Sequence, residues 1–161
     1  MDDSMERPSI TVGVISDTHG LVRPEALAAL QDTDLIVHAG DIGSLGVLDA
    51  LGQLAPVHAV RGNVDRGPWA VALPSTLAVP AGGVRLYLLH RLADLDVDPA
   101  AEGFAAVISG HSHAPHMETR NGVLYLNPGS AGPRRFRLPV ALATLRVEGS
   151  TVSAELMRLN V

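Results

Sequence analysis

The chain has 161 residues, of which 47% are hydrophobic and 18% charged, with a net charge of −5 and no cysteine. That composition suits one domain with a buried core and excludes a disordered chain, a disulfide framework, a thiolate nucleophile and cysteine-based zinc or iron–sulfur sites. The basic residues are all arginine and scattered, so nucleic acid finds no basic footprint, and no apolar run approaches the length needed to span a membrane.

Residues 1–7 are acidic and polar, unlike a secretory signal, so a cytoplasmic location is the expectation. Residues 1–8 are expected to be disordered ahead of a single domain over residues 9–161. Residues 10–15, Ile-Thr-Val-Gly-Val-Ile, read as a short buried strand. Pro24 at a first helical position opens a helix over 25–30. Residues 35–38 form the next strand, ending at Ala39-Gly40-Asp41. Ser44 is placed to cap a helix over 45–54, with Leu45, Leu48 and Leu51 on one face. After Pro56 a third strand covers 57–60. This β-α-β-α-β rhythm predicts a parallel sheet with right-handed crossovers.

The rhythm then changes. Residues 75–79 and 84–89 read as an antiparallel pair, 99–104 as a short helix and 105–109 as a strand. Residues 116–120 and 123–127 flank Asn121-Gly122, a strong two-residue hairpin signal because both turn positions favour positive φ. A last hairpin joins 139–147 to 151–159. Some ten strands are too many for one small open sheet, so two stacked sheets with helices outside are expected. The loops over 67–74 and 91–99 have no readable conformation.

Seven side chains able to ligate a metal, Asp17, His19, Asp41, Asn63, His90, His111 and His113, each stand where a predicted strand runs into a loop. In open α/β sheets, that edge is where ligands bind. Taken singly, each has a plainer reading: an aspartate after a strand is commonly a turn residue or helix cap, and an isolated histidine is commonly a hydrogen-bonded core residue. In Gly110-His111-Ser112-His113 an extended backbone points both imidazoles the same way, with Cα atoms about 6–7 Å apart. Together the seven offer donors for two divalent cations. Without thiolates they suit manganese, iron, zinc, cobalt or nickel better than soft ions.

The motifs Asp17-Thr18-His19, Gly40-Asp41, Gly62-Asn63, His90, Gly110-His111-Ser112-His113 and Asn127-Pro128-Gly129-Ser130 span residues 17–130. In that order they resemble the calcineurin-like metallophosphoesterase superfamily, specifically its small single-domain bacterial and archaeal phosphodiesterase branch. The resemblance implies an α/β fold of two stacked mixed β-sheets flanked by helices, a four-layer α-β-β-α sandwich. It also implies a dinuclear centre, with Mn²⁺ first among manganese, iron, zinc, nickel and cobalt. By the same resemblance Asp17, His19 and His113 hold one metal, Asn63, His90 and His111 the other, and Asp41 bridges them. A metal-bridging hydroxide then attacks a small phosphodiester, and the protein supplies no nucleophile of its own.

The chain departs from that pattern in three places. Many members carry a histidine after the Gly-Asn pair, and a glycine after the equivalent of His90, often with a second histidine beyond. This chain has Val64, Arg91 and Leu92. The usual general acids are therefore missing, and His116 is the remaining candidate. Asn63 and Arg91 are candidate substrate contacts, and a position that needs positive φ would strain Arg91. Arg134 or Arg135 could also reach a phosphate.

Other residues have quieter expected roles. The Asn127–Ser130 segment is expected to order the loop beside the site. His38 is placed to hydrogen-bond a ligand from behind, His116 to line the pocket rim, Asp65 to order a loop as an acceptor, and His58 to sit in the sheet. The alternatives to a phosphodiesterase are a non-catalytic interaction scaffold of the retromer-subunit kind on the same fold, a phosphomonoesterase and a nuclease. The complete donor set favours an enzyme acting on a small phosphate ester, the missing basic groove weighs against nucleic acid, and an exposed sheet edge leaves room for a homo-oligomer.

Overall fold

In the computed structural model, which describes residues 9–161, the opening apolar run forms β1 (Ser9–Ile15). The expectation for residues 1–8 lies outside the described residues. In chain order there follow α1 (Pro24–Ala29), β2 (Leu35–His38), α2 (Leu45–Gly52), β3 (Val57–Ala59), α3 (Pro68–Val71), β4 (Thr76–Ala81) and β5 (Val84–Leu89). After them come β6 (Ala106–Ile108), β7 (His116–Arg120), β8 (Val123–Asn127), β9 (Ala141–Glu148) and β10 (Thr151–Arg158).

The strands make two five-stranded mixed sheets, ordered β10-β9-β1-β2-β3 and β4-β5-β6-β8-β7. Each contains a parallel trio, β1-β2-β3 in the first and β5-β6-β8 in the second, with antiparallel strands outside it. Alternation along each strand builds the layers, because successive side chains leave a strand on opposite faces. Val12, Val14, Leu35 and Val37 point into the core between the sheets, where they meet Leu86, Leu88, Ala106 and Ile108. Ile15 and Ile36 point the other way, against Ala26 of α1, Leu30 at its C-terminal end, and Val47 and Leu51 of α2. The outer face of the second sheet, Tyr87, Leu89, Val107 and Val123, is covered by Phe104 with Leu92, Leu95 and Val97. The two stacked mixed sheets are therefore as expected, and the layer over the second sheet is a 3-10 turn (Leu92–Asp94) with its flanking loop.

Four local expectations change. Ser44 occupies the N-cap of α2, but its side chain makes no capping bond. The buried face of α2 is Val47 and Leu51, while Leu45 is exposed, because the sheet lies under the next residue round the helix. Residues 99–104 make a single turn closed by the Phe104 N–H bond to the Pro99 carbonyl, and Gly103 at φ +81° stops a helix from continuing. The four-residue α3 lies in a stretch read as an undefined loop. The Asn121-Gly122 hairpin forms as expected, with φ of 52° and 79°. No helix among the described residues is long and apolar enough to cross a membrane.

Candidate metal centre

The parallel trios place the candidate donors. Asp17 and His19 follow β1, Asp41 follows β2, Asn63 follows β3, His90 follows β5, and His111 and His113 follow β6. All sit beyond the carboxyl ends of parallel strands, and the first two loops are laced together where the Asp17 N–H donates to the Gly40 carbonyl (3.0 Å) and the His19 N–H to that of Asp41 (3.0 Å).

Ligand atoms of Asp17, His19 and His113 lie within 4.8 Å of one another, and so do those of Asp41, His90 and His111. The two groups adjoin through Asp41: its Oδ2 is 3.8 Å from His19 Nε2 and 3.2 Å from His90 Nε2. Asn63 lies on the exposed loop after β3 and shares a cavity wall with His90. His111 and His113 do not form one extended wall. Both are left-handed (φ 73° and 63°), and they turn into different groups. Among the described residues, non-glycine positive φ occurs at eight positions, and five of them are Asp17, His19, Asp41, His111 and His113. Each such residue is a local cost that surrounding structure must sustain, as is typical of functional loops.

The buried atoms fit a cation. Asp17 is fully buried; its Oδ2 accepts from Ser16 Oγ (2.7 Å) and the His111 N–H (3.0 Å), whereas Oδ1 has no donor and faces His113 Nε2 at 3.4 Å. His19 and His113 bring their Nε2 atoms to 3.4 Å. His90 donates Nδ1–H to the Ala39 carbonyl (2.8 Å), which fixes its tautomer and turns the unprotonated Nε2 toward the two carboxylates. Asp17 Oδ1 and His90 Nε2 thus converge where no donor among the described residues satisfies them, an arrangement a shared cation would relieve.

The protonation balance agrees. Burial raises the Asp17 carboxyl above its usual range, although Ser16, His90 and His113 pull the other way. Burial also raises Asp41, but the neighbouring His90 and the Val64 N–H outweigh it and hold Asp41 at about 2. His90 is opposed by burial, yet Asp41, the Ala39 carbonyl and Asp17 draw it above the ordinary imidazole value. The raised Asp17 carboxyl and the raised His90 imidazole both mark a pocket that favours added positive charge.

Thr18, His38, Asp65, Asn127 and Ser130 hold the loops, through partners that no local sequence pattern announces. His38 is fully buried and contacts no candidate ligand directly, contrary to the expectation for it. Its Nδ1 accepts from the Gly40 N–H (3.1 Å), so Nε2 carries the proton and donates to Thr18 Oγ1 (2.9 Å), which donates onward to the Ile42 carbonyl (2.8 Å). Asp65, expected to be a loop acceptor, takes the N–H groups of Gly62 (2.8 Å), Gly43 (2.9 Å) and Ile42 (3.1 Å). Asn127 Nδ2 donates to the Gly110 carbonyl (3.0 Å) and Ser112 Oγ (3.0 Å), and Ser130 Oγ to the Asp17 carbonyl (2.9 Å), so this turn orders the loops as expected.

Burial pushes His38 down to about 3. The unfolded chain takes up this proton near pH 6.5, so stability is intact above that pH and is lost as pH falls toward 3. For metal-free protein, wild type should lose about 1.4 kcal/mol more per pH unit than His38→Gln between roughly pH 6 and 4. Parallel curves in urea titrations would contradict this.

Gly62 is set by close approach: a Cβ there would lie 2.1 Å from the Asp41 backbone nitrogen and 2.2 Å from its Oδ1. Gly62→Ala should therefore displace Asp41 and weaken any divalent-metal binding at the candidate centre by about 10–100-fold, the range for lost support around a ligand. Calorimetric titration measures it, and an unchanged Kd would show that the loops can part.

The remaining candidates lie at the rim. Arg91 is at φ −111°, so the feared strain is absent, and its Nε lies 3.8 Å from Asp94 Oδ2. His116 is exposed and pairs with Glu118 (3.1 Å). Arg134 reaches the Val161 carbonyl (3.5 Å), Arg135 lies close enough to His113 to lower its basicity further beyond the effect of burial, and His58 sits half-buried in β3.

The sequence model of the calcineurin-like phosphoesterase superfamily domain matches residues 10–150. The chain belongs to this superfamily. A "Probable metallophosphoesterase" of Methanothermobacter thermautotrophicus is 35% identical over 162 aligned positions, covering 91% of each chain. Among solved structures, one titled as a novel archaeal phosphodiesterase superposes with a TM-score of 0.76 at 21% identity, covering 92% of this chain and all of that one. Wild-type Vps29 of Entamoeba histolytica, solved in complex with Zn²⁺, gives a TM-score of 0.69 at 22% identity over 94% of this chain and all of that one. At such identities the two structures speak for the fold.

Proposed function

We propose that this calcineurin-like phosphoesterase domain, spanning residues 9–161, is a metal-dependent phosphodiesterase acting on small diesters. The observation that carries the reading is the convergence of two adjoining donor groups around buried Asp17 Oδ1 and His90 Nε2, which no donor among the described residues satisfies. Asp17, His19 and His113 would hold one divalent cation, Asn63, His90 and His111 a second, and Asp41 would be shared, with Mn²⁺ the first choice. Such cations polarise phosphoryl oxygens and lower the pKa of water. Two divalent charges against the Asp17 and Asp41 carboxylates leave the pocket about +2, which suits an anionic ester despite the net charge of −5 on the chain.

The protein's own groups then set the substrate preference. His90 is held in the neutral tautomer that can ligate by its bond to Ala39. Arg91 and Asn63 line the approach to His90 and would bind non-bridging oxygens. Val64 uses its backbone N–H to hold Asp41 Oδ1 (3.0 Å) and has no side-chain proton to give a leaving oxygen. His116 is tied to Glu118 at the rim. General acid help is typically worth about 10²–10⁴-fold, so its absence should matter most for poor leaving groups. Aryl phosphodiesters are expected to turn over about 10²-fold or more faster than alkyl ones, and faster than aryl monoesters. Equal aryl and alkyl rates would reveal an acid, with His116 first to be replaced.

The scaffold alternative draws on the fold shared with Vps29. Retention of all seven donor side chains, with a strained backbone at five of them, favours the enzyme.

A further inference from the structure

Two cavities flank the candidate centre and differ in chemistry. The first, of about 340 Å³, is the more polar: Arg61, Arg91, Asp94 and Asp96 line it together with Asn63 and His90. The second, of about 480 Å³, shares Arg91 with it, and its wall is mostly apolar. Leu92, Ala93, Ala114, Pro115 and Tyr125 contribute to it, and His111 ties it to the candidate metal centre. Tyr125 and Leu92 belong to the apolar cluster on the outer face of the second sheet, so they are packed from behind and give the cavity a firm floor.

We infer that the apolar cavity is a subsite for an aromatic or similarly flat apolar ester group of the substrate, a step that rests on the phosphodiesterase reading. The volume is in the range of small-molecule sites, well above what one ring fills. Its position follows from chain order: residues 109–116 carry His111 and His113 to the donor groups and then, at Ala114 and Pro115, form the cavity wall. A phosphoryl group held at the centre therefore has one ester arm directed past His111 onto apolar surface. The other arm faces the arginines and aspartates beyond Arg91. Arg91 lines both cavities and stands at the branch point. The preferred substrate is an unsymmetrical diester, with one apolar ring and one polar or hydroxylated group.

Binding rather than turnover tests this. Mn²⁺-loaded protein is titrated calorimetrically with inorganic phosphate, methyl phosphate and phenyl phosphate, for wild type and for Ala93→Trp and Ala93→Glu. Ala93 is exposed, lines the cavity and belongs to neither donor group, so a large or charged side chain there fills or spoils the cavity without entering the core. Wild type should bind phenyl phosphate at least about tenfold more tightly than methyl phosphate, as expected for burying a ring. In both variants that preference should fall to within about twofold, with the affinity for inorganic phosphate unchanged. Phosphate binding with no preference for the phenyl ester, or a preference that survives both substitutions, overturns the subsite alone. Failure of wild type to bind any of the three overturns the phosphoesterase reading and the subsite with it.

Discussion

Asp41→Asn is expected to lower kcat/KM for an aryl phosphodiester by roughly 10³-fold or more at saturating Mn²⁺, with the fold retained. The substitution is nearly isosteric. Asparagine tolerates the left-handed φ of 55° found at this position, and its carbonyl oxygen can still accept the Val64 N–H. What it removes is the negative charge on the oxygen that lies between His19 and His90, the atom through which the two donor groups meet. Charge stabilisation by correctly held cations is worth several kcal/mol, and each 1.36 kcal/mol is tenfold in rate. Steady-state kinetics with a circular dichroism control measures the effect. A variant with rates within tenfold of wild type would show that Asp41 is dispensable and that the two donor groups act separately.

Asp65→Ala should cost about 3 kcal/mol of stability, lowering Tm by roughly 6–12 °C, and should weaken metal binding although Asp65 touches no candidate ligand side chain. Its carboxylate accepts three backbone N–H groups from two loops, those of Ile42, Gly43 and Gly62. Ile42 is fully buried, so its freed N–H finds no water, while Gly43 is exposed and Gly62 half-buried, which limits the loss at those two. The consequence for binding follows from position. Ile42 and Gly62 neighbour Asp41 and Asn63, and the loops that carry them are joined by this carboxylate together with the Val64 N–H bond to Asp41 Oδ1. Scanning calorimetry and Mn²⁺ titration read the two effects. Unchanged Tm and Kd would mean that backbone packing alone holds the loops.

The convergence of the candidate donors on one edge was legible because each follows an apolar run with strand character, and the β-α-β rhythm brings such run ends together. Neither the left-handed backbone at Asp17, His19 and Asp41 nor the divergence of His111 and His113 was legible, since both depend on how separate loops abut. The same holds for support. Thr18 and His38 are 20 residues apart and Asp65 lies 23 from Ile42, so no local pattern announces either contact. Asp65 could be read as an acceptor, but not its partners. The expected helix over 99–104 failed for a local reason, the left-handed Gly103, and α3 was missed because four residues carry too little periodicity to register. The apolar cavity draws its wall from segments near residues 92, 114 and 125, which meet only once the second sheet has formed.

Anomalous diffraction from crystals of the protein loaded with Mn²⁺ is the most direct measurement of the central claim. It should show two manganese peaks about 3.5–4 Å apart. One should lie among Asp17, His19 and His113, the other among Asn63, His90 and His111, with Asp41 reaching both. A pocket without bound manganese, or a single ion held by one group while the other stays unliganded, would contradict it.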